Sequence, residues 1–213
     1  AFSVYPEHFS ILKDIPADQR DRMLITVTHA WAVGQCRLQA LDDATRSIQI
    51  KGKSRYPFVT FEPDQRYWLE NFRGALDVPG EWYLDKSAGV LYYYPLPGED
   101  MSSIEVIAPA AEQFLSIKGA RDISFKGLQF LHSQYVYPKD GLHDGQAAAS
   151  VGGSIEVENS SGIRFQNCEV AGTGTHAFYF KNGCSESAVT HCHLHDLGGG
   201  GVRIAEINRP DED

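Results

Sequence analysis

Apolar and polar residues alternate along this chain in short runs, and in its second half the runs recur. Those opening at Ile155, Phe178, Val189 and Val202 are separated by Asn, Gly and Ser, and Asn167 and Cys168 precede His191 and Cys192 by 24 positions, as Phe178 precedes Val202. A period in the twenties built of short alternating runs predicts a β-solenoid, in which a coil buries its inner face only against its neighbours. An earlier copy lies at an offset of 40, placing Leu115 over Ile155, Ile117 over Val157 and Phe125 over Phe165. The longer offset leaves room for an excursion over about 134–153, and insertions in a solenoid emerge as loops on one flank, where function gathers. Asn159 and Asn182 fall one coil apart, which predicts a ladder of turn residues tolerant of positive φ.

The first hundred residues carry a different pattern. Residues 23–31 are rich in β-branched and large apolar side chains, and 36–41 and 47–50 alternate with period two around Asp42 and Asp43, so antiparallel strands joined by a turn are expected. Residues 1–5 read as strand and 16–20 as a loop or short helical turn. In 66–77, Leu69, Phe72, Ala75 and Leu76 stand at helical spacing and predict one short helix, ended by Pro79 and Gly80. Residues 81–85 and 90–94 flank Gly89 as a hairpin, stopped by Pro95 and Pro97. Trp31, Trp68, Trp82, Tyr83, Tyr92, Tyr93 and Tyr94 are expected mainly in the small core of this region, with one or two exposed as faces for sugar rings. The chain thus divides into an antiparallel β region with a short helix and hairpin over 1–103, and solenoid coils with the excursion loop over 104–213. No helix caps the first coil, so the sequence is expected to be part of something longer. An open last coil offers an edge to a second copy or to the rest of a larger protein.

Composition narrows the function classes. With 42% hydrophobic residues and a net charge of −9, the chain lacks the clustered Lys and Arg that neutralise phosphates, which argues against a nucleic-acid surface. No apolar run approaches the ~18 residues of a membrane span. Cys36, Cys168, Cys184 and Cys192 contain no close pair. Cys168 and Cys192 fall in adjacent coils, where the spacing allows either a disulfide or two stacked buried thiols.

Residues 67–71, 75–77, 79–85, 91–95, 98–100 and 107–109 carry a resemblance. It continues through 127–130, His132, 144–147 and 195–204. These blocks resemble large bacterial right-handed parallel β-helix proteins, including glycoside hydrolases similar to family 141, and the resemblance covers roughly 23–204. It implies an all-β fold, a right-handed parallel β-helix preceded by an antiparallel β region, in a secreted or periplasmic carbohydrate-active protein whose relatives act on fucosides and xylan. The acidic residues proposed for catalysis in those relatives come from coils beyond 195–204, so the resemblance assigns no catalytic residue here.

Glycoside hydrolysis needs two carboxyl groups across the scissile bond, supplied on this fold by neighbouring coils. Asp144, in the excursion, and Asp196, where one coil turns into the next, are the acid/base or substrate-contact candidates. His132, His143, Gln146, His195 and Arg203 are the candidate substrate contacts. Arg203, near Glu206, would hold a uronate or neutralise Asp196. His191, His193 and His195 alternate as if on one strand face, but such ligands would span ~13 Å, too far for three bonds to one ion, although two of the three could share one. Polar residues exposed on the outer face of a coil account for the pattern, so no metal is expected, and no cofactor. The four glycines at 198–201 permit tight turning or close approach of a ligand to the backbone. A polysaccharide lyase would want stacked carboxylates for Ca²⁺, and Glu156, Glu158 and Glu169 do not align with acids in the following coil. The reading is a carbohydrate-active β-helix protein, a glycoside hydrolase or part of one. The alternatives are a non-catalytic sugar-binding or structural module, and a lyase.

Overall fold

The computed structural model describes residues 1–58 and 65–205. In chain order the first elements are β1 (Phe2–Ser3), α1 (Pro6–Asp14), α2 (Ala17–Arg20), β2 (Leu24–Thr28), β3 (Val33–Asp42), β4 (Ser47–Ile50), β5 (Tyr67–Glu70), a 3-10 turn (Arg73–Ala75), β6 (Trp82–Asp85) and β7 (Val90–Tyr93). There follow β8 (Leu115–Lys118), β9 (Ser124–Lys126), β10 (Gln129–Ser133), β11 (Leu142–His143), β12 (Gly153–Glu158), β13 (Arg164–Gln166), β14 (Glu169–Thr173), β15 (His176–Phe180), β16 (Ala188–Thr190), β17 (His193–Leu197) and β18 (Val202–Ile204). Two compact units result, one of Ala1–Glu105 with Tyr137–Gly145, the other of Val106–Val136 with the chain from Gln146 onward. No helix among the described residues is long and apolar enough to cross a membrane.

The N-terminal unit is an antiparallel sheet in the order β1-β4-β3-β2-β5, with β11 also pairing β3. Strand β3 serves three neighbours: its first half pairs β2 and, at Gly34 and Gln35, β11, and its second half pairs β4 from Leu38 onward, with an irregularity between Leu38 and Ala40. Leu12, Ile15, Met23, Ile25, Cys36, Leu38, Ile48 and Phe72 form its core. The strand expected over 1–5 and the short helical turn expected over 16–20 form as β1 and α2, and between them lies a helix that the pattern does not predict, α1, which starts at Pro6 and buries Phe9 and Leu12; proline suits a first turn, where its missing N–H is not needed. Two expectations fail. The helix expected within 66–77 is instead strand β5, paired to β2 from Val27↔Tyr67 to Leu24↔Glu70, and a single 3-10 turn. The three tryptophans are not core: Trp31, Trp68 and Trp82 are 52%, 44% and 67% exposed, while Tyr83 is buried. The hairpin β6–β7 forms a two-stranded sheet of its own, so alternation turns Trp82 and Leu84 outward as it turns Tyr83 inward.

The second unit is a parallel β-helix. Each of three coils contributes a strand to each of three sheets, and β18 adds a fourth strand to the first of them; the orders are β18-β15-β12-β8, β16-β13-β9 and β10-β14-β17. Offsets of 40 and then 24 hold in two sheets, Phe125↔Phe165↔Val189 and Phe130↔Val170↔Leu194, while in the third the offsets are 40, 23 and 24, Leu115↔Ile155↔Phe178↔Val202. Like residues therefore stack along the interior. Phe165 lies 4.7 Å from Phe125 with rings nearly parallel, and 4.8 Å from Phe178.

Corners are built as ladders too. Positive φ recurs at Gly119, Asn159 and Gly183, at Asp122, Gly162 and Glu186, at Gly127, Asn167 and His191, and at His132, Gly172 and Asp196. Asn159 thus stacks with Gly183 rather than Asn182, whose carbonyl accepts the Asn159 N–H at 2.9 Å. All four cysteines are free thiols. Cys168 and Cys192 stand in equivalent places, their thiols directed at the Phe125 and Phe165 carbonyls of the preceding coils.

Candidate functional site

The outer face of the β10-β14-β17 sheet carries the densest chemistry. Because side chains alternate, Phe130, Val170 and Leu194 take the core side, and Gln129, Glu169 and His193, opposite one another in the register, take the solvent side. The next outward position reads Leu131, Ala171, His195. Gln129 Nε2 donates to Glu169 Oε2 at 2.6 Å, His195 Nε2 lies 3.0 Å from Glu169 Oε1, and His195 Nδ1 lies 2.7 Å from Asp196 Oδ2. The His193 ring stacks on His195 with centroids 4.2 Å apart. Beside these groups opens a groove of about 400 Å³ lined in part by Gln129, Asn167, Cys168, Glu169, His191 and His193.

Both nitrogens of His195 face carboxylates, which only accept, so the ring makes both bonds when it donates from both, as imidazolium. Glu169, then Asp196, raise its pKa above the ordinary histidine value. The bond from His195, with that from Gln129, holds Glu169 below the usual carboxylate range. These groups are solvated, and exposed ion pairs add little to stability. Their chemistry lies in geometry: the imidazole stands between Glu169 and Asp196, so as they stand the two carboxylates do not face each other across a scissile bond. One donor atom each from Glu169, His193 and His195 lies within 4.8 Å of the others.

The structure distributes the sequence-derived candidates unevenly. His195 and Asp196 adjoin. His132 shares the Asp196 position two coils earlier, its ring over Gly172, where a Cβ would come 2.7 Å from His132 Nδ1. Arg203 neither neutralises Asp196 nor faces the groove; it donates to the Val151 carbonyl at 2.8 Å and covers the Tyr179 ring at 3.9 Å. Glu206 lies outside the described residues. His191 is not on a strand face with His193 and His195, because its φ of 51° makes it a corner residue stacked with Asn167 and Gly127. Gln146 is exposed and belongs to the coil unit, whereas His143 and Asp144 belong to the N-terminal unit. Gln129 is the residue that sequence reasoning passes over, and Glu169 and His193 are weighed there but not joined, Glu169 only against acids of the following coil and His193 only with its neighbouring histidines. The signal was there: 24 positions separate Glu169 from His193, and 40 separate Gln129 from Glu169.

His143 is held in β11, opposite Gly34 of β3. A Cβ on Gly34 would lie 3.2 Å from His143 Nδ1 and 3.4 Å from His29 Nε2, so glycine makes room for both rings. Neither buried ring nitrogen of His143 has a hydrogen-bond partner among the described residues. Burial, then the neighbouring His29, lower its pKa. The folded unit therefore prefers the neutral ring. Its contribution is present above the ordinary histidine value and is lost as pH falls through the lower folded value. Thermal unfolding of this unit is expected to shift downward between pH 7.5 and pH 5, with a shallower slope in His143→Leu; parallel profiles for the two proteins would contradict this.

Residues 115–209 match the family model described as the right handed beta helix region. No curated protein matches. A solved structure described as a glycoside hydrolase is similar, with a TM-score of 0.71 and 22% identity over 85% of this chain and 38% of that one. The chain thus spans about two fifths of that protein's length, and the likeness is one of fold. The coils formed by β8–β10 and β12–β18 are those of a right-handed parallel β-helix in an all-β chain.

Proposed function

We propose that this chain is a carbohydrate-active segment of a glycoside hydrolase, of the family 141 kind, acting on a plant or host polysaccharide. The glycan lies along the outer face of the β10-β14-β17 sheet. One observation carries the reading: Gln129, Glu169 and His193, from three successive coils, stand in one row beside an open groove, with His195 and Asp196 following His193 along β17. Hydrogen-bonding groups repeated at strand spacing suit a ligand that is itself a row of hydroxyl-bearing rings. Asp196 is the acid/base or contact group of this face, and Asp144 the corresponding group of the N-terminal unit. The glycoside hydrolase description of the similar structure supports the class.

The test is affinity electrophoresis through a panel of plant and host polysaccharides, run beside hydrolysis of the same panel. At least one polysaccharide is expected to retard the chain, and Gln129→Ala and Asp196→Ala to weaken that by about tenfold each, the loss of roughly one good hydrogen bond. Turnover abolished in folded Asp144→Ala or Asp196→Ala would put the catalytic acids within this chain. Retardation without turnover would favour the non-catalytic sugar-binding reading, to which the His195 ring between the two carboxylates also points. A folded chain retarded by nothing would remove the proposal.

A further inference from the structure

We propose that Glu169, His193 and His195 form a binding site for a divalent late first-row transition ion, with zinc as the ion they suit best. The inference goes beyond the glycan reading and stands without it. Two imidazoles and one carboxylate are a donor set that zinc takes readily, at bonds of roughly 2.0–2.2 Å. The three donor atoms already lie within 4.8 Å of one another, and all belong to side chains at the surface, where rotation about χ1 and χ2 closes the remaining gap. They converge because the site crosses two coils. Glu169 faces His193 in the register, and His195 follows two residues along the same strand.

The groups behind the donors hold them for this task. Asp196 Oδ2 engages His195 Nδ1 at 2.7 Å and leaves Nε2 aimed at Glu169. Gln129 Nε2 engages Glu169 Oε2 at 2.6 Å and leaves Oε1 aimed at His195. A carboxylate on the far nitrogen of a histidine fixes its tautomer and makes it a better ligand. Loading replaces the proton that His195 Nε2 shares with Glu169, and that proton leaves to solvent. Three protein ligands leave a fourth position for water or a bound molecule. Calcium and magnesium prefer all-oxygen surroundings, so two imidazoles select against them.

The experiment is calorimetric titration of the untagged chain with zinc alone, and separately with calcium, in a buffer that does not chelate, followed by cobalt substitution read in the visible spectrum. One zinc per chain and no calcium uptake are expected. His193→Ala, whose side chain is exposed, and Glu169→Gln should each weaken zinc binding by more than the 10–100-fold typical of losing an outer partner, and Asp196→Asn by that 10–100-fold. His191→Ala should leave it unchanged, with circular dichroism confirming the fold of each variant. The inference is overturned if no zinc binds, if calcium binds as well as zinc, if His193→Ala binds zinc like the wild type, or if His191→Ala is the substitution that abolishes binding. No glycan enters the titration, so failure here leaves the carbohydrate reading to its own test.

Discussion

Replacing Phe165 with alanine is expected to destabilise the coil unit by about 3–5 kcal/mol, the usual cost of deleting a buried aromatic ring. Phe165 is fully buried. Its ring meets Phe125 at 4.7 Å, Phe178 at 4.8 Å and Phe130 at 6.4 Å. It is therefore the residue through which one coil's core contacts the coil before it, the coil after it and all three faces. Stability in a stacked-repeat protein is largely the sum of such neighbour contacts, so loss of one ring loosens interfaces on both sides. Phe165→Leu keeps much of the volume and should cost less than half as much. Urea unfolding followed by circular dichroism reads both. A loss below about 1 kcal/mol for Phe165→Ala would mean that the neighbouring rings collapse into the space, contrary to the close packing of protein interiors.

The coils were legible in the sequence because their physics is periodic. Stacking like on like makes position 165 resemble 125 and position 178 resemble 202, and the offsets of 40 and 24 that align them also set the register of every stacked pair except β12 with β15, where the offset is 23. In the N-terminal unit partners are not repeated, so local pattern competes with tertiary pairing and loses. Leu69 and Phe72 stand at helical spacing, yet β5 completes the edge of β2, where backbone pairing outweighs a weak propensity. Helix α1 escaped notice because only Phe9 and Leu12 are buried among polar neighbours within it. The candidate site was half legible. No acid follows Glu169 in the next coil, and the histidine that does, His193, is what gives the position its chemistry. Alternation alone places His191 on a strand face, because a positive φ at a non-glycine corner leaves no mark on composition.

The glycine run supplies the second large effect. Gly198 and Gly199 are expected to resist substitution even by alanine, each losing about 2–3 kcal/mol, because the space their side chains would need is already filled by backbone. A Cβ on Gly198 would meet the Gly174 carbonyl oxygen at 2.6 Å and its carbon at 2.7 Å, and one on Gly199 would meet the His176 nitrogen at 2.8 Å. None of the four has a left-handed φ, so the run does not serve tight turning. It lets one coil lie directly on the last, with Gly198 N–H bonded to the Thr173 carbonyl, Gly199 N–H to the Thr175 carbonyl and Gly200 N–H to His176 Nδ1. The backbone that approaches these glycines is the chain's own, and a ligand is not needed to explain them. Gly201 is the internal control. Its nearest neighbour would be Leu194 Cδ1 at 3.4 Å, a flexible side-chain end, so Gly201→Ala should stay within about 0.5 kcal/mol of wild type, helped by the reduced freedom of the unfolded chain. Equal losses at 198, 199 and 201 would show that glycine is needed there for conformation rather than for contact. A Gly198→Ala protein of undiminished stability that had lost glycan retardation would return the run to ligand binding.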